Sequence, residues 1–243
     1  AMRIVFSRKG FDSAAGGRPS LIVEGRPLSL PIPAQDRSRT TYADRGLGEI
    51  VERVTGGRIG AGALCHDDPM FSATHCWFGQ CGAAQGHLAR NGVGVGDVFL
   101  FFGLFADPVT GERHHRIFGY MRVACFGPPD LVRHMPAWRE PPRPHPHASG
   151  EWDGNNTIYH GPGALARSAD PALRLTRPSG PLRHWRVPSW LRRRGLSYHG
   201  RDERWPRPGE LISVSRGQEF VCPIGRSMAP RRWLAETIAA IES

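Results

Sequence analysis

Apolar residues gather into short continuous runs along this chain, separated by segments rich in glycine, proline and arginine. The runs at 3–6 and 98–102 carry the branched and aromatic side chains of buried strands. A second apolar stretch, His115–Val123, follows a loop at 107–111 whose residues favour a hairpin turn. The pattern therefore predicts a sheet whose central pair is 98–102 and His115–Val123.

Segments 20–23 and 28–32 predict a short hairpin, which its prolines confine to the edge of a sheet. Helical turns are predicted at 46–54, and a closely packed helix at Gly79–Asn91, where small residues end in an Asn-Gly helix stop. The tail Pro230–Ile241 places apolar side chains on one face and predicts a helix that packs on the sheet.

Two stretches lack a regular pattern. Residues 127–150 contain seven prolines, and 161–207 are rich in arginine and tryptophan, so both are expected to be irregular insertions. Strand character returns at 211–214 and 220–221. These features predict an α+β fold with a mixed or antiparallel, barrel-like sheet, flanking helices and long insertions, in a single domain over 1–243.

The composition favours a reduced, cytoplasmic protein. The sequence has no apolar run long enough to cross a membrane, and no signal-peptide pattern precedes the first predicted strand. Its five cysteines are odd in number and contain no C-x-x-C pair, so we expect reduced and mostly buried thiols.

The net charge of +10 favours a polyanionic partner, because binding a nucleic acid or nucleotide releases counterions from its phosphates. The alternative is a coding bias, since Lys9 is the only lysine among 32 basic residues. A lysine retained in such a background suggests a need for its compact ammonium group. Lys9 and Asp12 are therefore candidates for a phosphate contact and a general base, or else an exposed lysine and a turn-forming aspartate.

Eleven histidines are a clear excess, and several lie beside carboxylates or other histidines. Imidazole and carboxylate groups are the ligands of catalytic zinc and non-haem iron, so a divalent metal (Fe, Zn or Mn) is one interpretation. With His66 and Asp67 as the paired ligands, the spacing completes neither an H-x-D…H nor an H-E-x-x-H pattern. Surface or capping roles are the other interpretation. The candidate metal ligands are His66, Asp67, His145, His147 and His199.

Gln80, Gln85 and His87 lie on the predicted helix that leads to the buried strand. Primary amides can read a nucleobase edge, because each offers a donor and an acceptor side by side. Gln80 and His87 would share one helix face, and Gln85 would point elsewhere. The alternative is simple solvent exposure.

Further polar groups occur at element ends, which suits a polar ligand. The candidate catalytic residues are Lys9, Asp12, His66, Asp67 and His87. The candidate substrate-binding residues are Arg8, Gln80, Gln85, Asn156, Tyr159, Gln218 and Glu219.

The chain resembles the nucleotide modification associated domain family, third type, over most of its length. The motifs that carry the resemblance are Ser7–Ser13, His66–Pro69, Phe78–Leu88, Gly96–Gly103, His145-x-His147, Asn156–Tyr159, Leu196–Gly200 and Arg216–Val221. It implies a role in modifying nucleobases, or in recognising modified ones, without specifying a reaction. Gly96-Asp97 and the strands after it are also similar to PUA-like barrels such as the EVE and ASCH domains, which bind a base at the barrel mouth.

Three functional hypotheses follow. The first is an enzyme that modifies a nucleobase or nucleotide, with metal assistance or proton transfer by a His/Asp group. The second is a PUA-like reader that captures a base in DNA or RNA without altering it. The third is an enzyme that acts on a free metabolite. The partner is expected to be a nucleotide or nucleic acid in the first two cases, and no membrane is expected in any.

Overall fold

The protein has an α+β fold with a curled, mixed sheet, as the sequence predicts. Its structure is a computed structural model that describes residues 2–243. The strands are β1 (Arg3–Arg8), β2 (Ser20–Val23), β3 (Arg26–Leu28), β4 (Met70–Phe71), β5 (His75–Gln80), β6 (Val98–Ala106), β7 (Arg113–Arg122), β8 (Cys125–Gly127), β9 (Thr157–Leu165), β10 (His184–Arg186), β11 (Glu210–Ile212) and β12 (Glu219–Pro223). The helices are α1 (Gly48–Thr55), α2 (Gly82–Arg90), α3 (Pro129–Val132), α4 (Trp190–Arg194) and α5 (Met228–Glu242).

Seven strands form a half-barrel in the order β12-β1-β6-β7-β9-β5-β4. The pair β1–β6 is parallel, whereas the other neighbours along this path are antiparallel. Strand β9 pairs with β8 near its start and with β7 near its end, so it links the two halves of the curled sheet. The similarity to PUA-like barrels stays a prediction.

Both faces of the central strands are buried. Phe6 and Phe102 face an outer core that contains Trp185 and α5, whereas Val5 and Phe99 face an inner core that contains Phe78, Phe101 and Tyr159. This double burial explains the unbroken apolar run in β6, because alternation disappears when neither face meets water. The predicted pair of 98–102 and His115–Val123 is confirmed as β6–β7, although both strands extend beyond the predicted bounds.

The stretch predicted as one helix from Gly79 contains the end of a strand, a turn and a shorter helix. Gly79 and Gln80 complete β5, and α2 begins only at Gly82. Gly82 has a φ of +61°, a conformation that glycine adopts at little cost, and it turns the chain from strand to helix. The prediction that Gln80 and His87 share a helix face was therefore wrong.

The two insertions differ in their content. Residues 127–150 hold only the four-residue α3 and a single 3₁₀ turn at Pro146–Ala148, as their prolines predict. Residues 161–207 are more regular than expected, because they include the end of β9, all of β10 and α4. Strand β10 pairs with β11 and places Trp185, 1% exposed, in the outer core.

Several further predictions are confirmed. The β2–β3 hairpin, the turns of α1 and the C-terminal helix α5 all form, and α5 packs on β7 and β9 through buried Leu234 and Ile241. All five cysteines are free thiols, and four of them are buried. Within residues 2–243, no helix combines the length and apolar character that crossing a membrane requires.

Candidate metal centre and its pocket

Three side chains converge in a way that could hold a metal ion: His66, Asp68 and His147. Their potential ligand atoms all lie within 4.8 Å of one another. Nε2 of His66 is 3.4 Å from Oδ2 of Asp68, and Nε2 of His147 is 3.5 Å from the same oxygen. These separations are too long for good hydrogen bonds and leave space for a cation among the three groups.

Gly79 in β5 brings the carboxylate and one imidazole together. Its backbone N–H donates to Oδ1 and Oδ2 of Asp68, at 3.0 and 3.2 Å. A Cβ atom at this position would lie 2.2 Å from Cγ and Cδ2 of His147, so only glycine lets that ring rest on the strand. The strand thus fixes Asp68 with its amide and makes room for His147 by lacking a side chain.

Asn156 determines which nitrogen of His147 faces Asp68. The Asn156 amide donates from Nδ2 to the backbone carbonyl of His147 at 2.8 Å, so its Oδ1 is left to accept from the ring. Nδ1 of His147 lies 2.6 Å from that Oδ1 and therefore carries the proton. Burial lowers the pKa of His147 to about 4, although Asp68 acts in the opposite direction, so the ring is neutral at pH 7. Nε2 then presents a lone pair to the carboxylate, as a metal ligand does.

The Asp68 carboxylate is ionised despite its burial. Burial alone would raise the pKa of Asp68, but His145, His66 and His147 together hold it well below its ordinary value. Nε2 of His145 lies 3.3 Å from Oδ1 of Asp68, although the angle is too poor for a hydrogen bond. Nδ1 of His145 accepts from the backbone N–H of His147, so Nε2 carries the proton and points at the carboxylate. His145 therefore supports Asp68 rather than joining the three ligands.

These three groups lie on the wall of a pocket of about 220 Å³. Trp152, which stacks on His147 with ring centroids 3.9 Å apart, also lines it. The opposite side is built from Arg8, Lys9, Gln80 and Gln218, with Gly10 and Asp12 at the adjoining loop. The pocket therefore joins the candidate metal ligands to a polar, cationic wall.

A dense hydrogen-bond network occupies this second wall. Nζ of Lys9 lies 2.8 Å from Oε1 of buried Glu219 and 3.3 Å from Oε1 of Gln218, and it also sits over the Phe78 ring. Nε2 of Gln80 donates to the same two oxygens, and Oε1 of Gln80 accepts from the backbone N–H of Cys81. The donors of Lys9 and both ends of the Gln80 amide are thus engaged within the protein.

The family comparison assigns the chain. A model described as nucleotide modification associated domain 3 matches residues 3–223. The chain belongs to this family. The match begins in β1 and ends in β12, so it includes both walls of the pocket and excludes α5. No curated protein and no solved structure matches the chain.

Within this nucleotide modification associated domain, several predicted site residues lie away from the cluster. Asp67 is fully buried and forms ion pairs with Arg45 and Arg143. His87 stacks on Tyr198, and its Nε2 lies 2.9 Å from the hydroxyl of Ser197. The structure therefore does not bring Asp67 or His87 to the candidate ligands.

Other predicted residues have structural partners. Buried His199 accepts from the backbone N–H of Val214 through Nε2. Gln85 is also buried, and its Oε1 accepts from the hydroxyl of Tyr159. Asn156 contacts His147 as described above. Within the described chain, the structure gives His199, Gln85 and Tyr159 interior hydrogen bonds instead of a place on the pocket wall.

Asp68 was missed as a ligand candidate. The sequence analysis paired His66 with Asp67, although His66-Asp67-Asp68 followed by His147 is an H-x-D…H arrangement. Testing each of the two consecutive aspartates as the partner of His66 would have found it. The role of Gly79 carries no such signal, because it depends on a histidine 68 positions later in the chain.

Proposed function

We propose that this protein is a metal-dependent enzyme that modifies a nucleotide or nucleobase bound in the pocket between the His66–Asp68–His147 cluster and the Arg8–Lys9 wall. The observation that carries the proposal is the aim of two buried acceptors at each other. The lone pair on His147 Nε2 faces the ionised Asp68 carboxylate at 3.5 Å, an arrangement that a cation between them would stabilise.

The donor set suits a catalytic rather than a structural metal. Two imidazoles and one carboxylate are used by catalytic zinc and by non-haem iron, and both kinds of site leave positions open for water or substrate. The cluster lines a pocket, so open positions would face the space where a ligand can enter. Bound there, a divalent metal (Fe, Zn or Mn) would supply Lewis-acid or oxidative chemistry. Asn156 and His145 would keep the ligands in their binding protonation states.

Metal content is the direct test. Protein purified without a His-tag is expected to hold close to one equivalent of a divalent metal by elemental analysis. The His66→Ala, Asp68→Ala and His147→Ala variants should each lose most of it, because two ligands bind far more weakly than three. His134→Ala is the matched control, since His134 is exposed and lies outside the cluster. Less than a tenth of an equivalent in folded wild-type protein would contradict the proposal.

Activity is tested by mass spectrometry of nucleosides. DNA, RNA and the nucleotide pool from cells that express the wild type are compared with those from cells that express Asp68→Ala. A modified nucleoside or nucleotide that appears only with the wild type supports the enzyme. Salt-sensitive nucleic-acid binding that the Asp68→Ala variant retains, with no modified product, would instead favour the reader function.

A further inference from the structure

Arg8 is the one cation of the polar wall that no described carboxylate pairs with. It ends β1 and lines the same pocket as the candidate metal ligands. Lys9, its neighbour, forms an ion pair with Glu219, but Arg8 forms no ion pair within residues 2–243. Asp12 is near enough to influence it electrostatically, yet Oδ1 of Asp12 accepts from the backbone N–H groups of Ala14 and Ala15.

The Arg8 guanidinium is held in a fixed position. Nη1 donates to the carbonyl of Ser215 at 2.9 Å, and Nη2 donates to the carbonyl of Val214 at 2.8 Å. The guanidinium carbon lies 5.6 Å from the ring centroid of Phe102 and 5.7 Å from that of Phe220. Nε is buried and has no hydrogen-bond partner. The group is therefore oriented in advance but leaves one buried donor unsatisfied, which is costly unless a ligand completes it.

Burial lowers the pKa of Arg8, and the nearby Asp12 only opposes this effect. A buried cation without a counterion destabilises the protein, and an anion in the pocket would relieve that cost. A planar guanidinium is also well matched to phosphate, because it can donate two parallel hydrogen bonds to the oxygens. Lys9 is less suited to this role, since its donors already contact Glu219, Gln218 and the Phe78 ring.

We propose that Arg8 is the anion subsite of the pocket and that it binds a phosphate group of the substrate. This inference rests on the proposed function, because it places the phosphate at Arg8 while the reacting part of the nucleotide faces the metal cluster. The shared chemistry is a phosphate oxygen, which either a free mononucleotide or a nucleic-acid strand can supply.

The test uses metal-free protein, so that no anion can bind to a metal. The full chain is treated with a chelator and titrated with inorganic phosphate, with a 5′-deoxynucleotide, with the deoxynucleoside of the same base and with a ten-residue oligonucleotide. The 5′-deoxynucleotide should bind about 10- to 100-fold more tightly than the deoxynucleoside, the range expected for a charge-assisted hydrogen bond. Arg8→Gln should remove this difference, whereas the exposed Arg232→Gln should not.

The variants separate the outcomes. Arg8→Lys keeps the charge without the fork of donors and should retain part of the preference for phosphate. If Arg8→Gln is unstable, the wild-type difference between nucleotide and nucleoside still decides the question. Mononucleotide binding without oligonucleotide binding identifies a free nucleotide as the source of the phosphate, and the reverse identifies a strand. Equal affinity for nucleotide and nucleoside, with no effect of Arg8→Gln on the oligonucleotide, would overturn the subsite.

Failure of the metal site gives a different result. If Asp68→Ala and wild type both lack metal but bind the 5′-deoxynucleotide through Arg8, the subsite stands and the metal-dependent function falls. If metal binds but phosphate affinity requires the metal and ignores Arg8, the subsite falls and the metal centre stands.

Discussion

Gly79 affects the candidate centre through both its backbone and its missing side chain. The N–H group holds the Asp68 carboxylate, and the space above Cα is filled by the His147 ring. Gly79→Ala should displace that ring, lower metal affinity at least 10-fold, and destabilise the fold by about 1–3 kcal/mol through overpacking. Isothermal titration with Zn²⁺ and urea unfolding measure the two effects.

Gly154→Ala is the matched control, because a Cβ atom there would meet nothing within 4 Å and Gly154 follows the nearby Trp152. Equal metal affinity of the Gly79→Ala and Gly154→Ala variants would show that the ring is not held where the structure places it. Such a result would also weaken the assignment of His147 as a ligand.

At the residue scale, chemistry was predictable but geometry was not. Histidines 66, 145 and 147 were candidates because of their type and neighbours, and all three now lie around one carboxylate. The choice between Asp67 and Asp68 was lost, because consecutive side chains in an extended segment point in opposite directions. Asp67 turned to Arg45 and Arg143, and the sequence has no local signal for those distant partners.

At the element scale, Asn156 joins the proline-rich insertion to the sheet. It immediately precedes β9 and exchanges two hydrogen bonds with His147, which belongs to the 3₁₀ turn of the insertion. Asn156→Ala should free both the ring and the segment that carries it. We expect metal affinity to fall about 10- to 100-fold with the fold retained, as for other groups that orient a metal ligand.

Asn155→Ala tests whether this effect is specific. Asn155 bonds to the backbone of Gly82 at the start of α2 and does not contact His147. Its variant should keep wild-type metal affinity by the same titration. An equal loss in both variants would point to general loosening of the β9 entry instead of the orientation of one imidazole.

Elements were predictable where the pattern is local. The β6–β7 hairpin and α5 follow from apolar runs, turn residues and helical spacing within about 25 residues. Strand β5 was missed because it pairs with β9, about 80 positions away, and because Cys76–Gln80 are all buried and show no alternation. Long-range pairing and burial on both faces remove the two signals from which a strand is read.

At the scale of the whole molecule, the net charge of +10 fits a polyanionic partner but does not say where it binds. The pocket gathers residues from β1, from the loop before β4 and from the proline-rich insertion. No spacing rule links these three segments, since the fold alone brings them together. This is why the candidate residues could be named from the sequence, whereas their division into metal ligands, supporting groups and an anion subsite required the structure.

Acid stability is a property of the whole molecule that the buried histidines determine. Burial lowers the pKa of His115 to about 3, and burial lowers those of His114, His160 and His199 to about 4. In the unfolded chain each titrates near 6.5. The folded-state pKa values are therefore depressed, so the stability that neutral histidines provide is full above pH 6.5. It is lost as pH falls toward 4, because the unfolded state binds more protons.

Between pH 6 and pH 5, each of these four histidines should cost roughly 1 kcal/mol of unfolding free energy, and metal-free His147 adds a fifth. Urea unfolding at several pH values in the presence of chelator measures the slope. His115→Asn retains an acceptor for the Nε1–H of Trp185 but cannot be protonated, so it should reduce the slope by nearly one proton. His134→Asn, at an exposed position, should leave it unchanged. An unchanged slope in His115→Asn would mean that this imidazole is charged, or exposed to water, in the folded protein.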